Sequence, residues 1–197
     1  MPTIKPTLDG VPETMLWTLH NRVSEAIRPD GILFDPDAVR IYESLDYDFV
    51  RRFGKADGSH ALRALVSDRL LREWLLRHPD GLVISLGEGL ETQSRRVDNG
   101  RVRWLTVDLP ESIAIRERFL PPTERFRHVA SSALDLAWMD AAEGASGPVF
   151  VVAQGLLMYF QPSEVRRLVS AMVDRFSSGE MFFDVLPRFF SSDLAKV

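Results

Sequence analysis

The 197-residue chain has no cysteine. That excludes disulfide staples and thiolate metal sites, and it fits a reducing, cytoplasmic setting. No uninterrupted apolar run approaches the ~20 residues needed to cross a bilayer, so no membrane partner is expected. The opening Met1-Pro2-Thr3-Ile4-Lys5-Pro6 lacks the apolar centre of a secretory signal. Positive charge is in short supply, with 24 basic against 28 acidic side chains, a formal charge of -4 and no basic stripe. Nucleic acid is therefore not an expected partner. There is no internal repeat and no low-complexity tract. What remains is an ordinary globular balance, 45% hydrophobic and 26% charged, long enough for a domain with a substantial core.

The first part of the chain reads as helices. Residues 1–12, with Pro2, Pro6, Gly10 and Pro12, predict an irregular arm. Met15, Leu16, Leu19, Val23, Ala26 and Ile27 recur at helical spacing until Pro29-Asp30-Gly31. Asp35-Pro36-Asp37 opens a second helical stretch that runs through Tyr42, Tyr47 and Phe49 to Phe53, and Ala61 to Leu76 predicts a third. The aromatics Trp17, Tyr42, Tyr47, Phe49 and Phe53 form either a lid over a ligand or plain core, and helical spacing favours core.

After Pro79-Asp80-Gly81 the period changes. Leu82-Val83-Ile84-Ser85-Leu86 is a short apolar run of the kind that makes a fully buried parallel strand. Further strands are predicted at Val102–Val107, Phe126–Ala130, Val149–Ala153 and Met181–Leu186, with helices from Pro110 to Phe119 and from Pro162 through Phe176. Alternating strands and helices predict an α/β fold with a parallel, Rossmann-like sheet. The expected organisation is one integrated unit, with residues 1–78 as arm and helical cap and residues 79–197 as an α/β cofactor-binding core.

The segment most suggestive of chemistry is Leu86-Gly87-Glu88-Gly89-Leu90-Glu91-Thr92, directly after the first strand. Glycines let the backbone turn tightly and approach a ligand, and a following helix would aim its free N–H groups at the same place. Asp108 closes the next strand, where an acid in nucleotide-binding folds accepts hydrogen bonds from ribose. A dinucleotide loop usually has a third small residue where this chain has Thr92. Glu88 and Glu91 would each repel a pyrophosphate by ~1 kcal/mol in water and more when desolvated. S-adenosylmethionine has no phosphate and carries a sulfonium and an ammonium, so an acidic loop favours it. The alternative for both acids is a solvated first helical turn.

With these motifs in place, the chain resembles the leucine carboxyl methyltransferase-like family, in its bacterial branch of polyketide-type O-methyltransferases. The matching stretches are Val11-Pro12-Glu13-Thr14, Asp35-Pro36 with Ala38-Val39, Arg63 with Asp68, Val83 to Gln93, Val102-Arg103-Trp104, Val107 to Glu111, Leu134-Asp135 with Trp138-Met139-Asp140, and Gln154 to Tyr159. The resemblance implies a class I methyltransferase fold with an N-terminal helical lid, binding S-adenosylmethionine at the C-terminal ends of the strands. It implies that Arg63 holds the methionine carboxylate, that Gly87 and Gly89 lie along the methionine part, that Asp108 takes the ribose, and that Glu88 and Leu109 also belong to the cofactor site. Ala133, Leu134 and Asp135 fall near adenine, and Gln154 near the methionine amine. Three positions depart from the family pattern. Gln154 stands where glutamate is common, Ala133-Leu134 where Asp-Leu is common with Asp135 as the nearby acid, and Gln93 where a loop arginine is usual.

The acceptor side is less legible. A carboxylate acceptor needs no base and a hydroxyl benefits from one, but none of His20, His60, His78 and His128 follows a predicted strand, so no catalytic base is named. Tyr159, after the fourth strand, is either an acceptor-side group or a packing aromatic. The sheet of this fold normally continues past its fifth strand into a hairpin, which is expected to be missing here because only 11 residues follow Leu186. An open edge strand predicts self-association into a homo-oligomer. The leading expectation is an O-methyltransferase for a small, polyketide-like hydroxyl or carboxyl acceptor. The alternatives are methyl esterification of a protein C-terminus and a truncated, non-catalytic cofactor-binding domain.

Overall fold

The computed structural model of the chain describes residues 3–6, 8, 10–142 and 147–185. Five parallel strands, β1 (Leu82–Leu86), β2 (Arg103–Asp108), β3 (Phe126–Ala130), β4 (Val149–Ala153) and β5 (Glu180–Phe183), form a sheet in the order β3-β2-β1-β4-β5. The order reverses at β1, between β2 and β4, and a crevice opens there at the C-terminal strand ends. β5 is an edge of this sheet among the described residues; it ends at Phe183, short of the expected Leu186, which lies outside them together with the segment to Val197.

Burial explains why the strands read so clearly. Every residue of β1 and β4 is buried, and alternate side chains serve opposite faces. Leu82, Ile84 and Leu86 pack with Val149, Val151, Leu168, Met172 and Trp138 on one side. Val83, Trp104, Phe150 and Val152 pack on the other side against Leu71, Trp74 and Leu75. Those last three belong to α4 (Ser59–Arg77), and Leu168 and Met172 to α7 (Pro162–Arg175), whose Gln161 and Glu164 form a reciprocal capping box.

The N-terminal helices make a third cluster. Residues 11–13 form a short 3-10 turn, followed by α1 (Thr14–Ala26). The single helical stretch expected from 35 to 53 is instead two helices, α2 (Pro36–Glu43) and α3 (Phe49–Phe53). Asp48 caps α3 by accepting from the Arg51 N–H at 3.0 Å, and Leu45 bridges to Ile4 in the arm. Tyr42 stacks on Phe49 with ring centroids 4.1 Å apart, Tyr47 stacks on Phe53 and meets Phe49 edge-on, and all four pack into the core around α1 and α2. They are core rather than lid. α6 (Pro110–Phe119) closes this cluster through Ile115 and Phe119. Among the described residues no helix is long and apolar enough to cross a membrane.

Candidate cofactor site

A cavity of about 570 Å³ occupies the C-terminal strand ends. Ser85, Leu86 and Gly87 enter it from β1, Val107, Asp108 and Leu109 from β2, Ser132 and Ala133 after β3, Gln154 to Leu156 after β4, and Asp184 after β5. Arg63 and His60 of α4 and Met15, Trp17 and Thr18 of α1 complete the wall. Of the ten residues singled out above, Arg63, Gly87, Glu88, Gly89, Asp108, Leu109, Ala133 and Gln154 line this cavity.

Leu134 and Asp135 are not among the lining residues. The Leu134 carbonyl accepts from Arg167 at 2.8 Å, and the Asp135 carboxylate accepts from the Ser131 hydroxyl and the Ala137 N–H at the head of the 3-10 segment Leu136–Ala142. Short polar side chains at helix starts are commonly drawn into such caps.

The glycine loop is built from close contacts and filled hydrogen bonds. Gly87 and Gly89 have φ of +64° and +51°, a region that L side chains rarely adopt. A Cβ at Gly89 would lie 2.7 Å from Met15 Cβ, so α1 passes directly over the loop. The Gly87 N–H donates to Val107 O at 2.8 Å, and the Gly89 N–H to Asp108 Oδ2 at 2.6 Å. The Glu91 N–H donates to Glu88 O, and the Thr92 N–H to Glu91 Oε1, both at 2.9 Å. The helix expected after the loop is a single turn, α5 (Gln93–Arg96). Four loop amides are thus engaged inside the protein, which leaves little of the N–H cradle that a pyrophosphate requires.

Both loop acids are buried and paired rather than solvated. Glu88 meets Arg116 at 3.0 Å and accepts from Trp104 Nε1 at 3.1 Å and from the Thr106 hydroxyl. Glu91 pairs with Arg22 at 2.8 Å and Arg96 at 2.7 Å. Burial alone would raise the Glu91 carboxyl, but the two guanidiniums outweigh it and hold it down at about 2. Arg96 also reaches Asp35 and Asp68, and Arg22 donates to Leu90 O at 2.9 Å, so this ionic cluster ties α1, α2 and α4 to the loop. Loop charge therefore does not select the ligand: neither acid is free to attract a cation.

What the cavity does offer is different. Asp108 is half-buried, and its two oxygens accept from the Gly89 and Leu109 N–H groups at 2.6 and 2.7 Å. Burial pushes its carboxyl above the usual range against the pull of those donors. The Ser112 hydroxyl is a third donor to this carboxylate, which still keeps a lone pair for a ligand hydroxyl. Gln93 donates through Nε2 to Ser67 at 2.8 Å and Asp68 at 2.9 Å, which turns its Oε1 towards Gln154 Nε2 at 3.4 Å. Gln154 Oε1 is consequently a buried acceptor with no partner among the described residues. An orphaned buried carbonyl costs about 1–3 kcal/mol, and a ligand donor would recover it.

Two wall residues were not foreseen. His60 faces the cavity and sits edge-on to Trp17 with ring centroids 4.7 Å apart. Burial, followed by the nearby Arg63 and Arg22, lowers its pKa to about 4, so the imidazole is neutral near pH 7. Its place in the first turn of a helix gave no signal. Asp184 closes an apolar strand just as Asp108 does, and that signal was available. Of the remaining histidines, His20 is held by the Tyr42 hydroxyl at 3.0 Å and Gly54 O at 3.1 Å, and His128 by Glu117 at 3.2 Å. Tyr159 lines the cavity beside Met158 and Phe160. Among the described residues no cluster of three or more His, Asp or Glu could hold a metal ion.

A parallel sheet of this order with its cavity at the strand ends has the fold of the class I methyltransferases. The crystal structure of N-methyltransferase NodS from Bradyrhizobium japonicum WM9, in complex with S-adenosyl-L-homocysteine, superposes with a TM-score of 0.52 at 14% identity. The match covers 95% of this chain and 79% of that one. Sequence narrows the class: residues 26–173 match the leucine carboxyl methyltransferase family, and the chain belongs to it. It is 32% identical over 184 residues to the tetracenomycin polyketide synthesis O-methyltransferase TcmP of Streptomyces glaucescens, spanning 91% of this chain and 68% of that protein. It is 30% identical over 202 residues to the S-adenosyl-L-methionine-dependent methyltransferase dpfgK of Gibberella zeae, spanning 91% and 67%.

Proposed function

We propose that this chain binds S-adenosylmethionine and methylates an oxygen, hydroxyl or carboxyl, of a small polyketide-like molecule. The observation that carries the reading is the wall of the cavity: Arg63, half-buried Asp108 and the unpartnered Gln154 carbonyl share one chamber, beneath a loop in which four amides are already engaged. These groups match the carboxylate, ribose and ammonium of the cofactor and leave little of a cradle for a pyrophosphate. Leu109 and Ala133 supply apolar surface for the adenine ring. The names of the relatives, a polyketide O-methyltransferase and an S-adenosyl-L-methionine-dependent methyltransferase, support the same reading.

The cofactor supplies an activated methyl group, so the protein's task is orientation and exclusion of water. Trp17, Met158, Tyr159 and Phe160 give the cavity a largely apolar wall suited to a flat acceptor. Neutral His60 is a hydrogen-bond partner beside that wall. The test is calorimetric titration with S-adenosylmethionine, followed by methyl transfer to three acceptor sets: aromatic phenols, aromatic carboxylic acids and peptides ending in leucine. Binding with transfer to either aromatic set is expected. Absence of binding would sink the proposal, and transfer to the peptide alone would replace it with protein carboxyl methylation.

A further inference from the structure

We infer that Asp184 is a positioning residue for Arg63, holding one edge of its guanidinium so that the other edge faces the carboxylate of the cofactor. This rests on the proposed cofactor site. Arg63 leaves α4 on a long flexible stem, and such a side chain loses rotamer freedom when fixed. Two independent features fix it. Asp184 Oδ2 accepts from Arg63 Nη1 at 3.0 Å, while Oδ1 accepts from the Gly155 N–H at 2.6 Å, so the carboxylate is anchored to backbone and does not follow the arginine. Gly155 itself has φ of +66°, and a Cβ there would stand 2.9 Å from Nη1, so the guanidinium lies against bare backbone.

Only Nη1 of Arg63 is engaged among the described residues, which leaves Nε and Nη2, one whole edge of the planar fork, to meet a second carboxylate. A fork with one edge tied and one open is preorganised for a bidentate contact. Asp184 also carries a charge of the same sign as that ligand group. Fixing Arg63 outweighs this repulsion.

The experiment compares three ligands by calorimetry: S-adenosylhomocysteine, its deaminated analogue that keeps the carboxylate, and methylthioadenosine, which lacks both groups. Asp184→Ala and Gly155→Ala are each expected to weaken the first two by about tenfold, the worth of one charge-assisted contact, and to leave methylthioadenosine unchanged. Unaltered methylthioadenosine binding also reports that the variants fold. Asp184→Asn, which keeps one acceptor where two are needed, should fall between. If Asp184→Ala binds S-adenosylhomocysteine as well as or better than the parent, the inference is wrong. If it weakens S-adenosylhomocysteine and spares the deaminated analogue, Asp184 acts on the ammonium instead and the inference is again wrong. If the parent chain binds none of the three ligands, the cofactor reading falls and takes this one with it.

Discussion

Replacing Arg116 with methionine should destabilise the protein by about 3–5 kcal/mol, the cost of leaving a buried partner charge uncompensated. Arg116 reaches from α6 to the loop, where Nη1 donates to the carbonyls of Gly89 and Glu91, both at 2.8 Å. Nη2 pairs with Glu88 at 3.0 Å, and both side chains are almost fully buried. Burial already pushes the Glu88 carboxyl above its ordinary range, and Arg116 is the strongest opposing influence. Without it the pKa rises further. For an acid with a raised pKa, the folded state keeps a proton that the unfolded state has released. Its contribution therefore favours folding at low pH and is lost as pH rises through the folded pKa. Arg116→Met should thus be more damaging at about pH 8 than at about pH 5. Adding Glu88→Gln should recover about 1–3 kcal/mol, because the amide needs no countercharge. Urea denaturation followed by tryptophan fluorescence reads all of this. A cost below about 1 kcal/mol, or one equal at both pH values, would refute the claim that this pair governs the loop.

The two loop glycines should differ in their tolerance of alanine. Both adopt positive φ, costing about 1–2 kcal/mol in either variant. At Gly87 the new Cβ would meet the flexible end of Leu156 at 2.8 Å, whereas at Gly89 it would meet Met15 Cβ at 2.7 Å, next to helix backbone that cannot swing aside. Gly89→Ala should therefore lose a further 1–3 kcal/mol or so by overpacking, read as a lower Tm, and equal melting of the two would contradict this. His60 has its pKa lowered to about 4, so the unfolded chain takes up a proton before the folded one as pH falls below about 7. Stability should then fall with pH across that window by up to about 3 kcal/mol, less whatever solvent screening removes. His60→Gln should flatten this slope, and an unchanged slope would show that the imidazole is not held neutral.

The strands were legible because their burial is nearly uniform. A fully buried strand such as Val149–Ala153 has no polar face to blur it, and both of its neighbours are also strands. Local pattern misleads where tertiary contacts override it. Thr92, Gln93 and Ser94 look like the opening of a helix, but all three are buried, and Thr92 and Gln93 bond to Asp35, Ser67 and Asp68. With its first residues held from outside, the helix shrinks to one turn. The break between α2 and α3 had a local signal in Asp48, masked by the apolar residues on either side of it.

The site shows why charge is the hardest feature to read from sequence. Glu88 and Glu91 stand in the loop as two bare acids, and their partners Arg22, Arg96 and Arg116 come from three different helices. Until those pairings are known, a loop's formal charge says nothing about what it attracts. Amide accounting is sturdier, because every backbone N–H must go somewhere. Those of Gly87, Gly89, Glu91 and Thr92 go inward. The preference against a pyrophosphate read from the acids thus rests on other grounds: the engagement of these four donors leaves a phosphate few N–H groups to meet, and Glu88 and Glu91 hold the loop to the helices around it.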